Sequence, residues 1–177
     1  MGAQSDSSSL RRLSKFLKAG DKEAAQATLD AILSDRKAKM DAGRTPETKA
    51  ELKVYVAGPY TPYGASLHDA AKVAHENTVA AINAGLDVVS RGHFPYVPHL
   101  SHFTHIYGKK TFSYKYYMDS DMKWLHACDA ILFYRHVIGA SSGADNELRE
   151  AIDKRKQIFF FAEEIPQNNA MARKFNE

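Results

Sequence analysis

The residues with the clearest capacity for chemistry in this sequence are two carboxylates, Asp121 and Glu147. Asp121 lies one turn before Trp124 in a stretch predicted to be helical, and Glu147 lies close to the start of another predicted helix. If both side chains face the same end of a sheet, they can act as acid and nucleophile on a glycosidic bond. The alternative is that Asp121 is a solvated helix residue and that Asp129 caps a turn.

Glu147 ends a short segment, residues 141–147, whose composition is typical of an anion site. The segment follows a predicted strand and opens a helix, where the first backbone N–H groups have no partner within the helix. Gly143 permits close approach, and the hydroxyls of Ser141 and Ser142 add donors, so a phosphate or another anion fits here. The alternative is an ordinary capped helix, with Ser142 as its N-cap and with Asp145 and Glu147 offsetting the helix dipole.

A second candidate segment runs from Gly58-Pro59-Tyr60 to Gly64, directly after the first predicted strand. It lacks the GxGxxG fingerprint and the lysine of a P-loop, so neither dinucleotide binding nor ATP hydrolysis is indicated. Tyr60 is expected to line a pocket wall, where its ring can stack on a ligand or its hydroxyl can position one. The alternative is a simple turn.

Four histidines, His93, His99, His102 and His105, raise the question of a metal site. Pro98 interrupts this stretch and no carboxylate lies near it, so no metal is predicted, and His99 is expected to line the pocket instead. The single cysteine, Cys128, lies beside an apolar strand and is expected to be an inert core residue. No metal or organic cofactor is expected.

Alternating strands and helices are expected to position these residues. The pattern predicts a mainly parallel sheet with helices on both faces, which is a doubly wound α/β fold. Ligands of such sheets bind beyond the carboxyl ends of the strands, where residues 58–60, 95–99 and 139–143 should converge. Residues 91–111 show no clear periodicity and are predicted to form a long loop over the site. The predicted strands are residues 54–57, 88–89, 130–134 and 157–161, and the predicted helices are residues 67–84, 116–127 and 144–154.

Residues 1–52 are predicted to form a separate N-terminal extension. Leu10, Leu13 and Leu17 on one side of Gly20, and Leu29 and Leu33 on the other, recur at helical spacing, which predicts a helical hairpin followed by a linker. This extension is expected to serve packing or oligomer formation. Residues 53–177 are expected to form the α/β domain.

Composition excludes several classes of protein. The chain has 177 residues, 24 Lys and Arg against 21 Asp and Glu, a formal net charge of +3, and 44 % hydrophobic residues. This charge excess is too small for a basic nucleic-acid surface, no apolar run is long enough to cross a bilayer, and one cysteine excludes an internal disulfide framework. We expect a cytoplasmic protein without nucleic-acid or membrane partners.

Three motifs resemble the nucleoside 2-deoxyribosyltransferase superfamily in their order and spacing. They are Val54-Tyr55-Val56-Ala57-Gly58-Pro59-Tyr60, Asp121-x-x-Trp124-Leu125-x-x-x-Asp129 and Ser141-x-Gly143-x-x-x-Glu147. That superfamily includes 2'-deoxynucleoside 5'-phosphate N-hydrolases and CMP N-glycosidases. Over residues 53–162, the resemblance implies a flavodoxin-like α/β fold and cleavage of an N-glycosidic bond.

The resemblance also implies roles for the matched residues. Glu147 would attack the anomeric carbon as the nucleophile, and Asp121 would position the leaving base or protonate it. Gly58 and Pro59 match the first loop, and Tyr60 would contact the sugar or the nucleophile. Sites of this superfamily are often completed by a neighbouring subunit, so a homo-oligomer with a shared active site is expected.

Ser141 bears on the substrate. In the superfamily, transferases of free nucleosides carry an Asp six residues before the nucleophile, and nucleotide hydrolases carry a Ser there. An Asp would repel a phosphate, whereas a hydroxyl at a helix N-terminus can bind one, so a nucleoside 5'-monophosphate is the expected substrate. Ser142 is the alternative for this contact. Two other functions stay open: a 2-deoxyribosyltransferase that exchanges bases, and a non-catalytic nucleotide-binding or sensing module.

Overall fold

The computed structural model describes residues 2–43, 46–60, 67–110 and 112–175. Four parallel strands form one sheet in the order β2-β1-β3-β4, which confirms the predicted α/β class. No helix in the described ranges has the length and apolar character needed to span a membrane. The strands are β1 (Lys53–Ala57), β2 (Phe94–Tyr96), β3 (Ala130–Phe133) and β4 (Gln157–Phe159). The helices are α1 (Gly2–Ala19), α2 (Lys22–Asp41), α3 (Leu67–Ser90), α4 (Ser101–Tyr107), α5 (Tyr114–Ala127), α6 (Ser142–Asp153) and α7 (Asn169–Lys174), with 3-10 turns at Pro98–Leu100 and Ala162–Glu164.

The two central strands are buried on both faces, as is typical of a parallel sheet covered by helices. Alternate residues of each strand point to opposite faces, so the sheet separates two apolar clusters. Tyr55 and Phe133 belong to the cluster shared with α1, α2, α5 and α6. Val54 and Leu132 belong to the other cluster, which includes Val88 of α3.

The second strand lies later in the chain than predicted. Val88 and Val89 belong to the last turn of α3, and the strand beside β1 is β2. Gly85 does not end the helix, which continues to Ser90. A glycine is needed there for packing, because a Cβ at this position would lie 2.7 Å from Val97 Cγ2. The helix is closed instead near Gly92, which adopts a positive φ of 80° and donates its N–H to the carbonyl of Val89.

The predicted long loop over residues 91–111 is also wrong for most of its length. It contains β2, the turn Pro98–Leu100 and α4, each of which is too short to impose a clear period on the sequence. The turn Pro98–Leu100 and α4 follow β2, and the turn places His99 at the carboxyl end of the sheet. Thr111 lies outside the described residues.

The two N-terminal helices share the core of the sheet. Leu13, Leu29 and Ile32 are buried in the same cluster as Leu148 of α6, and α1 packs against both α2 and α6. Burial of each leucine side chain contributes roughly 1.5–3 kcal/mol. Arg36 of α2 adds a bridge between Asp6 and Glu164. The N-terminal helices therefore support α6, the helix that carries Glu147.

Candidate active site

A cavity of about 200 Å³ lies at the carboxyl ends of the parallel strands. The three segments expected to converge there do so, because each follows a strand whose end lies at this edge of the sheet. Asp121 and Glu147 both line this cavity. Its other lining residues are Gly58, Tyr60, Pro98, His99, Ser101, Tyr114, Tyr117, Met118, Ser141, Gly143 and Ala144.

Glu147 is a buried carboxyl on α6, and its side chain is 6 % exposed. The hydroxyl of Tyr55 donates a hydrogen bond of 2.7 Å to its Oε1. Burial raises the pKa of Glu147 to about 8; the Tyr55 hydrogen bond opposes this rise and the charge of Asp121 adds to it. The Glu147 carboxyl therefore accepts a hydrogen bond from Tyr55 at Oε1 and lines the cavity.

Asp121 lies on α5, which packs beside α6, and it lines the same cavity as Glu147. The hydroxyl of Tyr96 lies 3.5 Å from its Oδ1. Burial raises the pKa of Asp121 to about 6, and the Tyr96 hydrogen bond opposes this rise. Protonated Asp121 is therefore accessible near neutral pH, as an acid catalyst requires.

Two tyrosines to which the sequence assigned no role, Tyr55 and Tyr96, have their hydroxyls at these carboxyls. Tyr55 and Tyr96 are direct partners in the β1–β2 register, and their ring centroids are 5.6 Å apart. A signal for Tyr55 was present, because a tyrosine inside an otherwise aliphatic buried strand needs a hydrogen-bond partner for its hydroxyl. Trp124 stacks on Tyr96 with ring centroids 4.9 Å apart and is half exposed.

The capped-helix alternative named Ser142 as the N-cap of α6, but the structure has the N-cap one residue earlier. The N-cap is Ser141, whose Oγ accepts a hydrogen bond of 3.4 Å from the Ala144 N–H, and the helix begins at Ser142. Ser141 and Gly143 line the cavity beside Glu147. Ser142 lines a separate cavity of about 160 Å³ between α6 and the N-terminal helices, so the structure does not bring it to the Glu147 site.

The first loop approaches the cavity through backbone and ring contacts. A Cβ on Gly58 would lie 2.3 Å from a ring carbon of Tyr134, so the tyrosine ring occupies the space that any other residue would need. Pro59 is buried and its carbonyl accepts from His99 Nε2 at 3.1 Å. Residues 61–64 of this loop lie outside the described residues.

Tyr60 lines the cavity, but its hydroxyl lies 2.7 Å from His102 Nδ1. The tyrosine contact to Glu147 comes from Tyr55 instead. The resemblance implies that Tyr60 contacts the sugar or the nucleophile; its hydroxyl pairs with His102 and not with Glu147, and the sugar contact stays a prediction. A contact through the ring face is compatible with the Tyr60–His102 hydrogen bond.

His99 is 5 % exposed, and burial lowers its pKa, which favours the neutral ring. With Nε2–H donated to Pro59, Nδ1 is an acceptor, and it has no hydrogen-bond partner among the described residues.

His93 lies at the other end of β2, where it accepts from the Leu52 N–H and contacts the Pro166 carbonyl. Within the side chains that are described, no three His, Cys, Asp or Glu are grouped to hold a metal ion.

Asp129, the last residue of the second motif, and its neighbour Cys128 both lie away from the cavity. Asp129 precedes β3 at the amino end of the sheet, where its Oδ2 accepts from the Lys53 N–H at 2.8 Å. It therefore fastens two strands together. Cys128 is buried, and burial raises the pKa of its thiol to about 11, which keeps it protonated and unreactive.

Residues 52–161 match a protein family described as a domain of unknown function, DUF7768. The matched segment contains every residue that lines the cavity. Neither the curated proteins nor the solved structures contain a match to this chain. Since the match covers more than half of the chain, the protein belongs to the DUF7768 family.

Proposed function

We propose that this protein is an N-glycosidase that cleaves the N-glycosidic bond of a nucleoside or deoxynucleoside 5'-monophosphate. The observation that carries the proposal is that Asp121 and Glu147 line one cavity, each with a tyrosine hydroxyl at its carboxyl. Cleavage of a glycosidic bond through a covalent intermediate needs this combination of one ionised carboxylate and one proton source.

The reaction divides into two displacements. A Glu147 oxygen forms a bond to C1' of the sugar as the bond from C1' to the base nitrogen breaks, and the base leaves with that electron pair. Asp121 gives its proton to the departing base. A water molecule then attacks C1', releases Glu147 as a carboxylate and returns a proton to Asp121. The Tyr55 hydrogen bond stabilises the charge of Glu147 before attack and after release.

The architecture supports membership of the nucleoside 2-deoxyribosyltransferase superfamily. The order β2-β1-β3-β4 equals the first four strands of the flavodoxin-like order 2-1-3-4-5. The switch point of that order lies between β1 and β3, and the cavity opens beyond the ends of these strands. We therefore extend the proposal to a flavodoxin-like fold of this superfamily.

The cavity walls favour a nucleotide over a simple sugar. Tyr60, Tyr114 and Tyr117 line it and offer aromatic surface on which a base can stack. Ser141 and Gly143 lie at the start of α6, where free N–H groups and the helix dipole favour an anion. A base on the aromatic wall and a phosphate at the helix start place the sugar between them, beside Glu147.

The test is base release from a panel of nucleosides and their 5'-monophosphates. Release of free base and sugar phosphate from at least one monophosphate supports the proposal. Exchange of an added second base into a new nucleotide would identify a transferase instead. Binding of monophosphates with no release of base over days would support the non-catalytic alternative and overturn the enzymatic one.

Replacing Ser141 by Asp is expected to reverse the substrate preference. A carboxylate at the N-cap still caps the helix but repels a 5'-phosphate, so kcat/KM for monophosphates should fall by about 100-fold while that for free nucleosides is kept or rises. Ser141→Asn is the matched control, because it also caps helices and carries no charge. Equal kcat/KM for monophosphates in the two variants would show that Ser141 does not face the phosphate.

We also propose that the protein is a homo-oligomer whose neighbouring subunit helps to close the cavity. Tyr114 lines the cavity and is 72 % exposed, so part of the cavity rim is left open. Large exposed apolar side chains occur on α4, on α5 and on the segments that flank them, namely Leu100, Ile106, Tyr107, Phe112, Tyr116 and Trp124. Sedimentation velocity is expected to show a dimer or a larger assembly that Ile106→Glu dissociates. A wild-type monomer that cleaves substrate would contradict this.

A further inference from the structure

Tyr96 is half-buried and does not line the cavity. Asp121 and Glu147 line the cavity and Tyr96 does not. Its ring is held between two others, with centroids 5.6 Å from Tyr55 and 4.9 Å from Trp124. Because β2 and these two rings fix the side chain, its hydroxyl has a defined direction, and that direction is toward Asp121 Oδ1 at 3.5 Å.

The sheet presents the two tyrosines as a matched pair. Tyr55 and Tyr96 are register partners on neighbouring parallel strands, so their side chains leave the same face at the same level. Tyr55 donates to Glu147, and the Tyr96 hydroxyl faces Asp121. Adjacent strands are separated by about 4.8 Å. The spacing of the two hydroxyls, and through them of the two carboxyls, is thus set by the sheet and not by a loop.

We propose that Tyr96 is a positioning residue that acts through Asp121: it holds this carboxyl in register with the Tyr55–Glu147 pair so that both face one substrate. The inference rests on the proposed function, in which Asp121 is the acid that meets the leaving base. Tyr96 touches no substrate itself, so its loss should affect the chemical step and spare binding.

The test is Tyr96→Phe, which keeps both ring contacts and removes only the hydroxyl. We expect kcat to fall about tenfold, the effect of losing one hydrogen bond to a charged group, while KM changes by less than about twofold. The control is Ser90→Ala, which also removes one hydroxyl, from an exposed residue of α3 that lies outside both the cavity and the proposed subunit interface. In an Asp121→Asn background, Tyr96→Phe should cause no further loss of kcat, because the residue acts through Asp121.

A second measurement needs no substrate. The Asp121 carboxyl carbon, followed by NMR, should titrate at higher pH in Tyr96→Phe than in the wild type, since a donor to the ionised form is lost. The other titratable groups around Asp121 are Tyr55 of β1, Glu147 of α6, and His99 and Tyr117 in the cavity lining; Cys128 lies near Tyr96. Tyr96→Phe leaves all of them in place.

The two proposals fail in different ways. A wild-type protein that releases no base from any substrate overturns the proposed function, and the NMR titration still decides whether Tyr96 holds Asp121. An Asp121 titration that is the same in the wild type and in Tyr96→Phe overturns the role of Tyr96, whatever the kinetics show. Additive losses of kcat in the double variant would overturn it as well.

Discussion

Replacing Glu147 by Gln is expected to lower kcat for base release by at least about 10⁴-fold. The amide cannot attack C1', yet it has the shape of the carboxyl, and its oxygen can still accept from the Tyr55 hydroxyl. Base release from monophosphates, measured at several enzyme concentrations, checks the prediction. Glu150→Gln is the matched control, because Glu150 lies on the same helix but pairs with His126 away from the cavity.

The same substitution should make the protein more stable at alkaline pH. The folded-state pKa of Glu147 is about 8, well above the ordinary value near 4.3, so the folded state binds more protons than the unfolded state between these values. Stability attributable to this group is complete below about pH 4 and is lost as pH rises through the folded-state pKa. The amide has no charge to bury and escapes this loss.

Unfolding by denaturant at pH 4.5 and at pH 9 separates loss of chemistry from loss of fold. The free energy of unfolding of Glu147→Gln should exceed that of the wild type at pH 9 by a few kcal/mol, since each pKa unit corresponds to about 1.4 kcal/mol, and should match it at pH 4.5. A folded variant that kept wild-type kcat would remove Glu147 from the mechanism. A variant less stable than wild type at pH 9 would show that the buried carboxyl is structural.

The sheet was predictable because its signals are local. A buried parallel strand is a short apolar run, and Val54–Ala57 and Ala130–Phe133 read as such from sequence alone. Once strands and helices alternate, the chain has few ways to connect them, so the edge at which Gly58, Asp121 and Glu147 meet follows from connectivity. The prediction places the second strand at Val88 and Val89 because a short pair of valines has the same pattern in the last turn of a buried helix as in a short strand.

The details of the site depend on long-range geometry that no local pattern contains. The pairing of Tyr55 with Tyr96 is a matter of strand register between segments 41 positions apart in sequence. Whether Ser141 or Ser142 faces the cavity depends on which of them leaves the helix in an extended conformation; Ser141 does so, with φ of −150°. Ser141 and Ser142 are neighbours at the helix start, yet Ser141 lines the cavity with Glu147 and Ser142 lines the cavity beside the N-terminal helices.

The rate of base release is expected to show a bell-shaped pH dependence with limbs near pH 6 and pH 8. Below the lower limb both carboxyls are protonated and no nucleophile is present; above the upper limb both are ionised and no acid is present. Between the limbs the two carboxyls hold one proton between them. On either side the rate should fall tenfold per pH unit.

In the proposed reaction, the substrate is expected to change which of the two carboxyls holds this single proton. In the free cavity the pKa of Glu147 lies above that of Asp121, so the proton resides mainly on Glu147. A base nitrogen that accepts from Asp121 favours protonated Asp121, and the Tyr55 hydrogen bond favours ionised Glu147. If the proposed function holds, substrate binding is expected to shift the proton from Glu147 to Asp121, and substrates whose base offers no acceptor should be cleaved slowly.

Asp121→Asn tests this account, because it removes the acid and one negative charge together. We expect kcat to fall by about 10²–10⁴-fold and the alkaline limb to disappear, since no group remains to be protonated there. The remaining limb should report the ionisation of Glu147 alone and lie between pH 6 and pH 8, because burial still raises the pKa of Glu147 while the Asp121 charge that adds to this rise is gone. Asp119→Asn on the same helix, where the carboxylate is exposed and pairs with Lys115, should leave both limbs unchanged. An Asp121→Asn profile that kept its alkaline limb would assign that limb to another group and take the acid role from Asp121.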